Sequence, residues 1–177
     1  MNAIVQRVNN PPDAASLMLT ARSFGNYDLA AAIADLIDNS IKAKSTVIEI
    51  SCNFLDGHPE VRIRDDGTGM SKDDLLVAMR PACFNPNNER SPDDLGRFGW
   101  GMKSASFSQC KVLTVITQKD HEINGARWDL DDIEDWAMDM YEKDVALNKL
   151  SKPFENGKGT ELYPVSTSWT GSASLLR

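Results

Sequence analysis

The sequence has few cysteines, no long apolar run and no excess of positive charge, and each shortage excludes a class of protein. Its three cysteines, Cys52, Cys83 and Cys110, are widely spaced and form no CxxC pair. That spacing argues against a zinc site or a disulfide framework and favours a reduced cytoplasmic compartment. No stretch of about 18 apolar residues is present, so we expect no membrane span. The first twenty residues lack a basic start followed by an apolar core, so we expect no secretion signal.

The charge balance is acidic, with 26 Asp and Glu against 19 Lys and Arg and a formal net charge of −7. This balance argues against a domain that binds nucleic acid directly through its own electrostatics. Much of the acid lies in residues 129–144, which we interpret as a solvated helix face or loop rather than an acidic partner site. With 177 residues, 41% of them hydrophobic, the chain has the size and composition of one globular domain over residues 1–177.

Periodicity along the chain predicts helices, a hairpin, another helix, a long loop and further strands. The predicted helices cover 13–22, 28–43, 71–79 (with Ser71 as N-cap) and 101–107. The predicted strands cover 46–52, 61–65, 112–117, 126–130 and 160–165, with a hairpin turn at Asp56-Gly57. Helices and strands do not alternate, so we predict an α+β fold. It is a two-layer sandwich with a mixed, mostly antiparallel sheet covered on one face by helices.

Residues 80–98 contain three prolines, three asparagines and no periodic pattern. A loop of this length inside a compact domain is typical of a functional lid or a disordered segment. We predict a lid over about residues 80–100.

The predicted helix over 28–43 has one apolar side and one polar stripe. Its apolar side contains Leu29, Ile33, Leu36, Ile37 and Ser40. Asp35, Asn39 and Lys42 have the spacing i, i+4, i+7, which places them along one stripe. An ordinary solvated face gives the same pattern, so the stripe indicates a site only if another element brings a ligand to it.

That other element is Asp65-Asp66-Gly67-Thr68-Gly69-Met70, directly after a predicted strand. Gly67 and Gly69 let the backbone approach a flat ligand or adopt positive φ. Asp65 can accept a hydrogen bond from an amino group in a sheltered pocket, and Met70 offers a soft apolar surface for a ring. A tight Asp-Gly turn is the alternative interpretation.

A glycine-rich segment, GRFGWGMKS over residues 96–104, ends the predicted lid and begins a helix. Free amides at a helix N-terminus, with glycines that allow close approach, form an anion site suited to phosphates. The segment is similar to a Walker A loop, but Met102 separates Gly101 from Lys103, so we do not assign a P-loop. Farther along, Gly159-Thr160 enters a strand, where it either places a hydroxyl near Asp65 or is a simple loop end.

In this order the four motifs resemble those of the GHKL superfamily, which includes gyrase B subunits, heat-shock chaperones, histidine kinases, MutL proteins and Microrchidia ATPases. The form of the motifs is closest to Microrchidia-like and heat-shock-chaperone-like ATP-binding domains. The resemblance implies the Bergerat fold, in which ATP lies between the helices and the sheet under a mobile lid.

Carried over by the resemblance, Asn39 would coordinate magnesium, and Asp65 would accept a hydrogen bond from the adenine amino group, supported by Thr160 through water. The remaining nucleotide-binding residues would be Gly67, Gly69, Met70, Gly99, Gly101, Met102 and Lys103. Gly99 and Gly101 would give their amides to the triphosphate, with Lys103 nearby.

The chain departs from the family pattern at two positions of the predicted helix. Asp35 stands where many members have the glutamate that activates water, so this general base would sit about one methylene further back. Lys42 stands where the family pattern has an aspartate.

The implied function is magnesium-dependent ATP binding with slow ATP hydrolysis, coupled to lid closure or to homodimerisation on ATP binding. Further domains or a client protein are expected partners, and the chain fits the N-terminal part of a longer protein. One alternative is a nucleotide-sensing module that does not hydrolyse ATP. Another is a histidine-kinase catalytic domain, although neither His58 nor His121 has the helical context of a phosphoacceptor. MutL-like repair stays open, although the lid lacks the G-F-R-G-E segment.

Overall fold

The computed structural model describes residues 13, 14, 16, 17, 28–55, 58–81, 101–133 and 136–165. Besides the helical residues 14, 16 and 17, these ranges contain four helices and six strands. The helices are α1 (Leu29–Lys42), α2 (Lys72–Met79), α3 (Gly101–Gln109) and α4 (Lys143–Lys149). The strands are β1 (Ile48–Leu55), β2 (His58–Asp65), β3 (Val112–Lys119), β4 (Glu122–Asp129), β5 (Asp139–Tyr141) and β6 (Gly159–Val165).

Side-chain caps stabilise the N-termini of the two helices that flank the β1–β2 hairpin. The Asp28 carboxylate accepts a hydrogen bond from the Ala31 amide at 2.7 Å and caps α1. At α2, Ser71 and Asp74 form a capping box in which each side chain accepts a hydrogen bond from the other residue's amide. Such caps satisfy amides that the first turn of a helix leaves without partners. The predicted N-cap at Ser71 is therefore confirmed.

The six strands form one sheet in the order β1-β2-β6-β3-β4-β5, and all five pairings are antiparallel. The last strand in sequence, β6, thus lies in the middle and joins the β1–β2 hairpin to the β3–β4–β5 ribbon. The β1–β2 pairing runs from Ile48 opposite Asp65 to Leu55 opposite His58. The turn residues themselves, and most of the predicted helix over 13–22, lie outside the described residues.

One face of the sheet is covered by α1, α2 and α3, and the main core lies between these layers. Its largest fully buried side chains include Phe107, Leu75, Met79 and Leu113. The Trp128 indole donates a hydrogen bond of 2.9 Å to the Met79 carbonyl and so fixes the end of α2 over β4. The predicted two-layer sandwich, with helices over a mostly antiparallel sheet, is confirmed, and the described sheet is antiparallel throughout and not mixed.

A second, smaller cluster lies on the opposite face, where Ala146 of α4 packs with Ile116, Ile123 and Tyr163. Neither α4 nor β5 was predicted. Residues 129–144 are therefore not simply a helix face or loop, because they contain β5 and the start of α4. The acidic side chains of this segment mask the alternation of exposed and buried residues in β5. Asp139 is exposed and forms a hydrogen bond with Arg127, while Met140 beside it packs against the main core.

Strand β4 begins four residues earlier than predicted because a tight hairpin precedes it. Asp120 and His121 have φ of 50° and 66°, the positive values that a two-residue type I′ turn requires. In the described ranges, no helix is long and apolar enough to cross a membrane.

Candidate functional site

Asp65 is a buried carboxylate at the end of β2, directly under α1, with 8% of its surface exposed. The Ser40 hydroxyl of α1 donates to its Oδ2 at 3.0 Å, and the Gly67 amide donates to its Oδ1 at 2.9 Å. Burial raises the pKa of Asp65 above its ordinary value, and the hydrogen bonds from Gly67 and Ser40 oppose that rise. The Ser45 side chain and the Thr160 amide also lower this pKa. The hydrogen bonds from Ser40 and Gly67 each use one acceptor position on a different carboxylate oxygen.

The glycine turn after Asp65 is shaped by close approach and by positive φ. A Cβ at Gly67 would lie 2.8 Å from the Ala43 Cβ and 2.9 Å from the Asp65 Oδ1. Gly69 has φ of 65°, and a Cβ there would overlap the Gln118 carbonyl. Only glycine fits both positions without strain. The predicted positive φ is found at Gly69, and the close approach at both glycines is to the chain itself. Approach to a flat ligand stays a prediction.

Met70 and Thr160 complete the surroundings of Asp65. The Met70 side chain packs against the main core, and its amide donates to the Thr117 hydroxyl at 2.9 Å. Thr160 pairs directly with Asp65 across β6 and β2, and its backbone N–H lowers the pKa of that carboxyl. The Thr160 hydroxyl lies 3.1 Å from the Thr117 hydroxyl, so its hydrogen-bonded neighbour is a threonine of β3.

Asp66 has a structural role that separates it from Asp65. Its carboxylate accepts hydrogen bonds from the Thr46 amide at 2.7 Å, the Thr46 hydroxyl at 2.6 Å and the Val47 amide at 2.9 Å. These bonds lower the pKa of Asp66 to about 2. Asp66 therefore anchors the segment between α1 and β1, whereas Asp65 is buried under α1.

The polar stripe of α1 lies beside its buried face. Asp35 is half-buried and Asn39 is exposed, one turn apart, while Ser40 next to Asn39 is buried against Asp65. Helix α1 packs against α3. The polar stripe of Asp35, Asn39 and Lys42 is thus on the same helix as Ser40, which donates a hydrogen bond to Asp65.

The model of the family described as "Histidine kinase-, DNA gyrase B-, and HSP90-like ATPase" matches residues 27–160. The chain belongs to this family. The matched range includes the Asp35–Asn39 stripe, the glycine turn and the glycine-rich segment before α3. The predicted GHKL membership is confirmed.

Three relatives show which members of the family the chain is similar to. It is 34% identical over 104 residues to ATPase morc-1 of Caenorhabditis elegans, which is 58% of this chain and 12% of that protein. It is 31% identical over 101 residues to ATPase MORC2B of Mus musculus, 54% of this chain and 10% of that protein. It is 30% identical over 95 residues to the DNA mismatch repair protein MutL of Pseudoalteromonas translucida, 52% of this chain and 15% of that protein. The chain therefore spans only a small part of each relative's length.

The third motif of the GHKL domain is described only in part. Gly101, Met102 and Lys103 form the first turn of α3, and the half-buried Met102 packs against the main core. Gly99 and residues 82–98 of the predicted lid lie outside the described residues. The phosphate contacts assigned to Gly99, Gly101 and Lys103 stay predictions.

Two residues of the site were missed by sequence reasoning. Ser40 carried a signal, because a serine on the apolar side of a predicted helix needs a hydrogen-bond partner when it is buried. Thr117 carried none, because its contacts with Met70 and Thr160 depend on β6 lying beside β3.

Proposed function

We propose that this GHKL domain binds magnesium-ATP and hydrolyses it slowly, with the nucleotide coupled to closure of the lid over about residues 80–100 or to homodimerisation. The observation that carries the proposal is the setting of Asp65. It is a buried acceptor at the end of β2, held in place by Ser40 and Gly67, directly before a tight glycine turn.

The acceptor and the apolar side chains near the end of β2 suit an adenine ring. Asp65 would accept a hydrogen bond from the exocyclic amino group, and Met70 and Met102, which both pack against the main core, would supply apolar surface. Thr160 supports Asp65 from the neighbouring strand. A sheltered acceptor of this kind favours an amino group over a keto oxygen.

Asn39 is proposed as the magnesium ligand. The described residues contain no cluster of three or more His, Cys, Asp or Glu side chains that could hold a metal by themselves. Magnesium commonly takes one or two protein ligands and shares its remaining positions between phosphates and water. Asn39 together with the oxygens of a triphosphate fits that coordination pattern. Gly99, Gly101 and Lys103 are proposed to bind the phosphates.

The first experiment is a calorimetric titration of ATP, with and without magnesium, into the wild-type chain and Asp65→Asn. The variant should lose about 1–3 kcal/mol of binding free energy, because it replaces an acceptor by a donor at a sheltered position. GTP should bind the wild type much more weakly than ATP. Asp73→Asn, at an exposed aspartate of α2, is the matched control. Unchanged ATP affinity in a folded Asp65→Asn variant would remove Asp65 from the site.

A second candidate function is a nucleotide-sensing module that binds ATP without hydrolysing it. Asp35 favours it, since the shorter side chain holds its carboxylate further from a water at the γ-phosphate than a glutamate would. Turnover by the wild type separates the two functions.

A further inference from the structure

A row of polar residues crosses the helix-covered face of the sheet. Asp65 pairs with Thr160, Thr160 with Thr117, and Thr117 with Asn124, on strands β2, β6, β3 and β4. Two residues along, the corresponding row is apolar: Ile63, Leu162, Val115 and Ala126. The polar row therefore marks where the main core ends and where the floor of the proposed pocket begins.

The Thr117 hydroxyl has three polar contacts. Thr117 is fully buried, and its Oγ1 lies 2.9 Å from the Met70 amide, 3.0 Å from the Gly159 carbonyl and 3.1 Å from the Thr160 hydroxyl. A hydroxyl has one hydrogen and two lone pairs. All three contacts are satisfied in one arrangement: Thr117 donates to Gly159 and accepts from Met70 and from Thr160.

This arrangement fixes what Thr160 can offer to a ligand. Its single hydroxyl hydrogen is directed at Thr117, so only its lone pairs are left for the pocket. The neighbouring Asp65 carboxylate is an acceptor as well. Both groups on this part of the floor then match the amino group of adenine and oppose the keto oxygen that guanine carries at the same position.

We infer that Thr117 is a positioning residue that holds Thr160 as a hydrogen-bond acceptor and thereby makes the pocket select adenine over guanine. The inference rests on the proposed ATP site and adds to it a residue that contacts no nucleotide. Without the Thr117 hydroxyl, the Thr160 hydrogen is free to turn toward a keto oxygen, and the Met70 amide loses its acceptor.

The test compares the ATP and GTP affinities of Thr117→Val and Thr117→Ser by calorimetry. Thr117→Val keeps the shape and removes the hydroxyl, so ATP should bind about 2–10-fold more weakly, the range that one net hydrogen bond supports. GTP should bind Thr117→Val at least as tightly as it binds the wild type. The ratio of ATP affinity to GTP affinity should therefore fall by at least the same factor. Thr117→Ser keeps the hydroxyl and should keep the wild-type preference.

Thr114→Val is the matched control. Thr114 is a buried threonine of the same strand, and it points to the opposite face, where it pairs with Tyr163 across β3 and β6. Thr114→Val removes a buried hydroxyl and should lower the stability of the fold by a similar amount. It should leave the preference for ATP over GTP unchanged. A general loss of stability would lower the affinity for both nucleotides in both variants.

A readout without nucleotide checks the geometry. The Met70 amide should exchange with solvent faster in Thr117→Val than in the wild type, and not in Thr117→Ser. If Thr117→Val does not fold, Thr117→Ser and Thr117→Ala replace the comparison, since they differ only in the hydroxyl oxygen. A wild type that binds no ATP refutes the proposed function and this inference together. A wild type that binds ATP and a Thr117→Val variant with the same preference refute the inference alone.

Discussion

Asp35 and Asn39 lie one helical turn apart on α1 and are proposed to act on different steps. Asp35→Asn removes a proton acceptor while keeping the shape of the side chain. Magnesium-ATP should still bind, and turnover should fall by about 10²–10⁴-fold. Asn39→Ala removes a metal ligand, so the magnesium-dependent part of ATP affinity should itself fall. Phosphate release and calorimetry measure the two effects separately.

The exposed Asp38 supplies the control for both variants, and Asp38→Asn should change neither quantity. Asp35→Glu restores the usual acid of the family and should raise turnover if the short reach of aspartate is limiting. Turnover that persists in Asp35→Asn would show that another residue activates water. Magnesium-ATP binding without turnover in the wild type would favour the non-hydrolysing module.

Among the elements, α2 is fixed at its start by two partners of Asp74. The Asp74 carboxylate accepts hydrogen bonds from Lys119 at 2.9 Å and from the Ser71 amide at 3.1 Å, and these contacts lower its pKa to about 2. A carboxyl whose pKa is lower in the folded state stabilises the fold above its ordinary pKa of 3.8 and loses this effect as pH falls toward 2. Asp74→Asn should therefore lower Tm at pH 7 and make little difference near pH 2. Asp73→Asn, in the same turn, should show a smaller loss at pH 7, and equal losses in the two variants would contradict this role for Asp74.

The same elements show how far sequence reasoning reaches. Helices α1 and α2 were predicted closely because caps and helical periodicity are local signals. Asp65, Gly67 and Gly69 could be proposed as one site because they adjoin in sequence. Strand β5 has three residues and exists through its pairing with β4, which no local pattern reports. Thr117 and Thr160 meet only because β6 inserts between β2 and β3. Strand β5 and the contact between Thr117 and Thr160 depend on the pairing of segments that are distant in sequence, so local patterns do not predict them.

At the scale of the whole molecule, Glu161 joins β6 to β2 and to the segment after α4. It is fully buried and accepts hydrogen bonds from Arg62 at 2.7 Å, from Arg64 at 2.6 Å and from the Ser151 hydroxyl at 2.7 Å. Glu161→Gln leaves the buried Arg64 without its charge partner, so the free energy of unfolding should fall by about 3 kcal/mol. Urea denaturation measures the change, and Glu155→Gln, at an exposed residue, is the control. A loss no larger than that of the control would show that the network contributes little.

The proposed coupling between nucleotide and assembly is also tested on the whole molecule. With a non-hydrolysable ATP analogue and magnesium, light scattering should show a doubled mass, and Asp65→Asn should stay at the monomer mass because it binds the analogue weakly. Hydrogen exchange over residues 80–100 should slow on binding if this segment closes as a lid. An unchanged mass at saturating analogue would exclude dimerisation, and unchanged exchange would exclude closure.

The central place of β6 has a consequence for the order in which the protein is made. Ribosomes extend a chain at about 5–20 residues per second, from the N-terminus onward. The β1–β2 hairpin and the β3–β4–β5 ribbon therefore emerge first, each with an unpaired edge that invites association with other chains. Residues 159–165 then close both edges at once and bring Thr160 beside Asp65. The nascent chain consequently completes the proposed nucleotide site and covers the inner edges of β2 and β3 in the same late step.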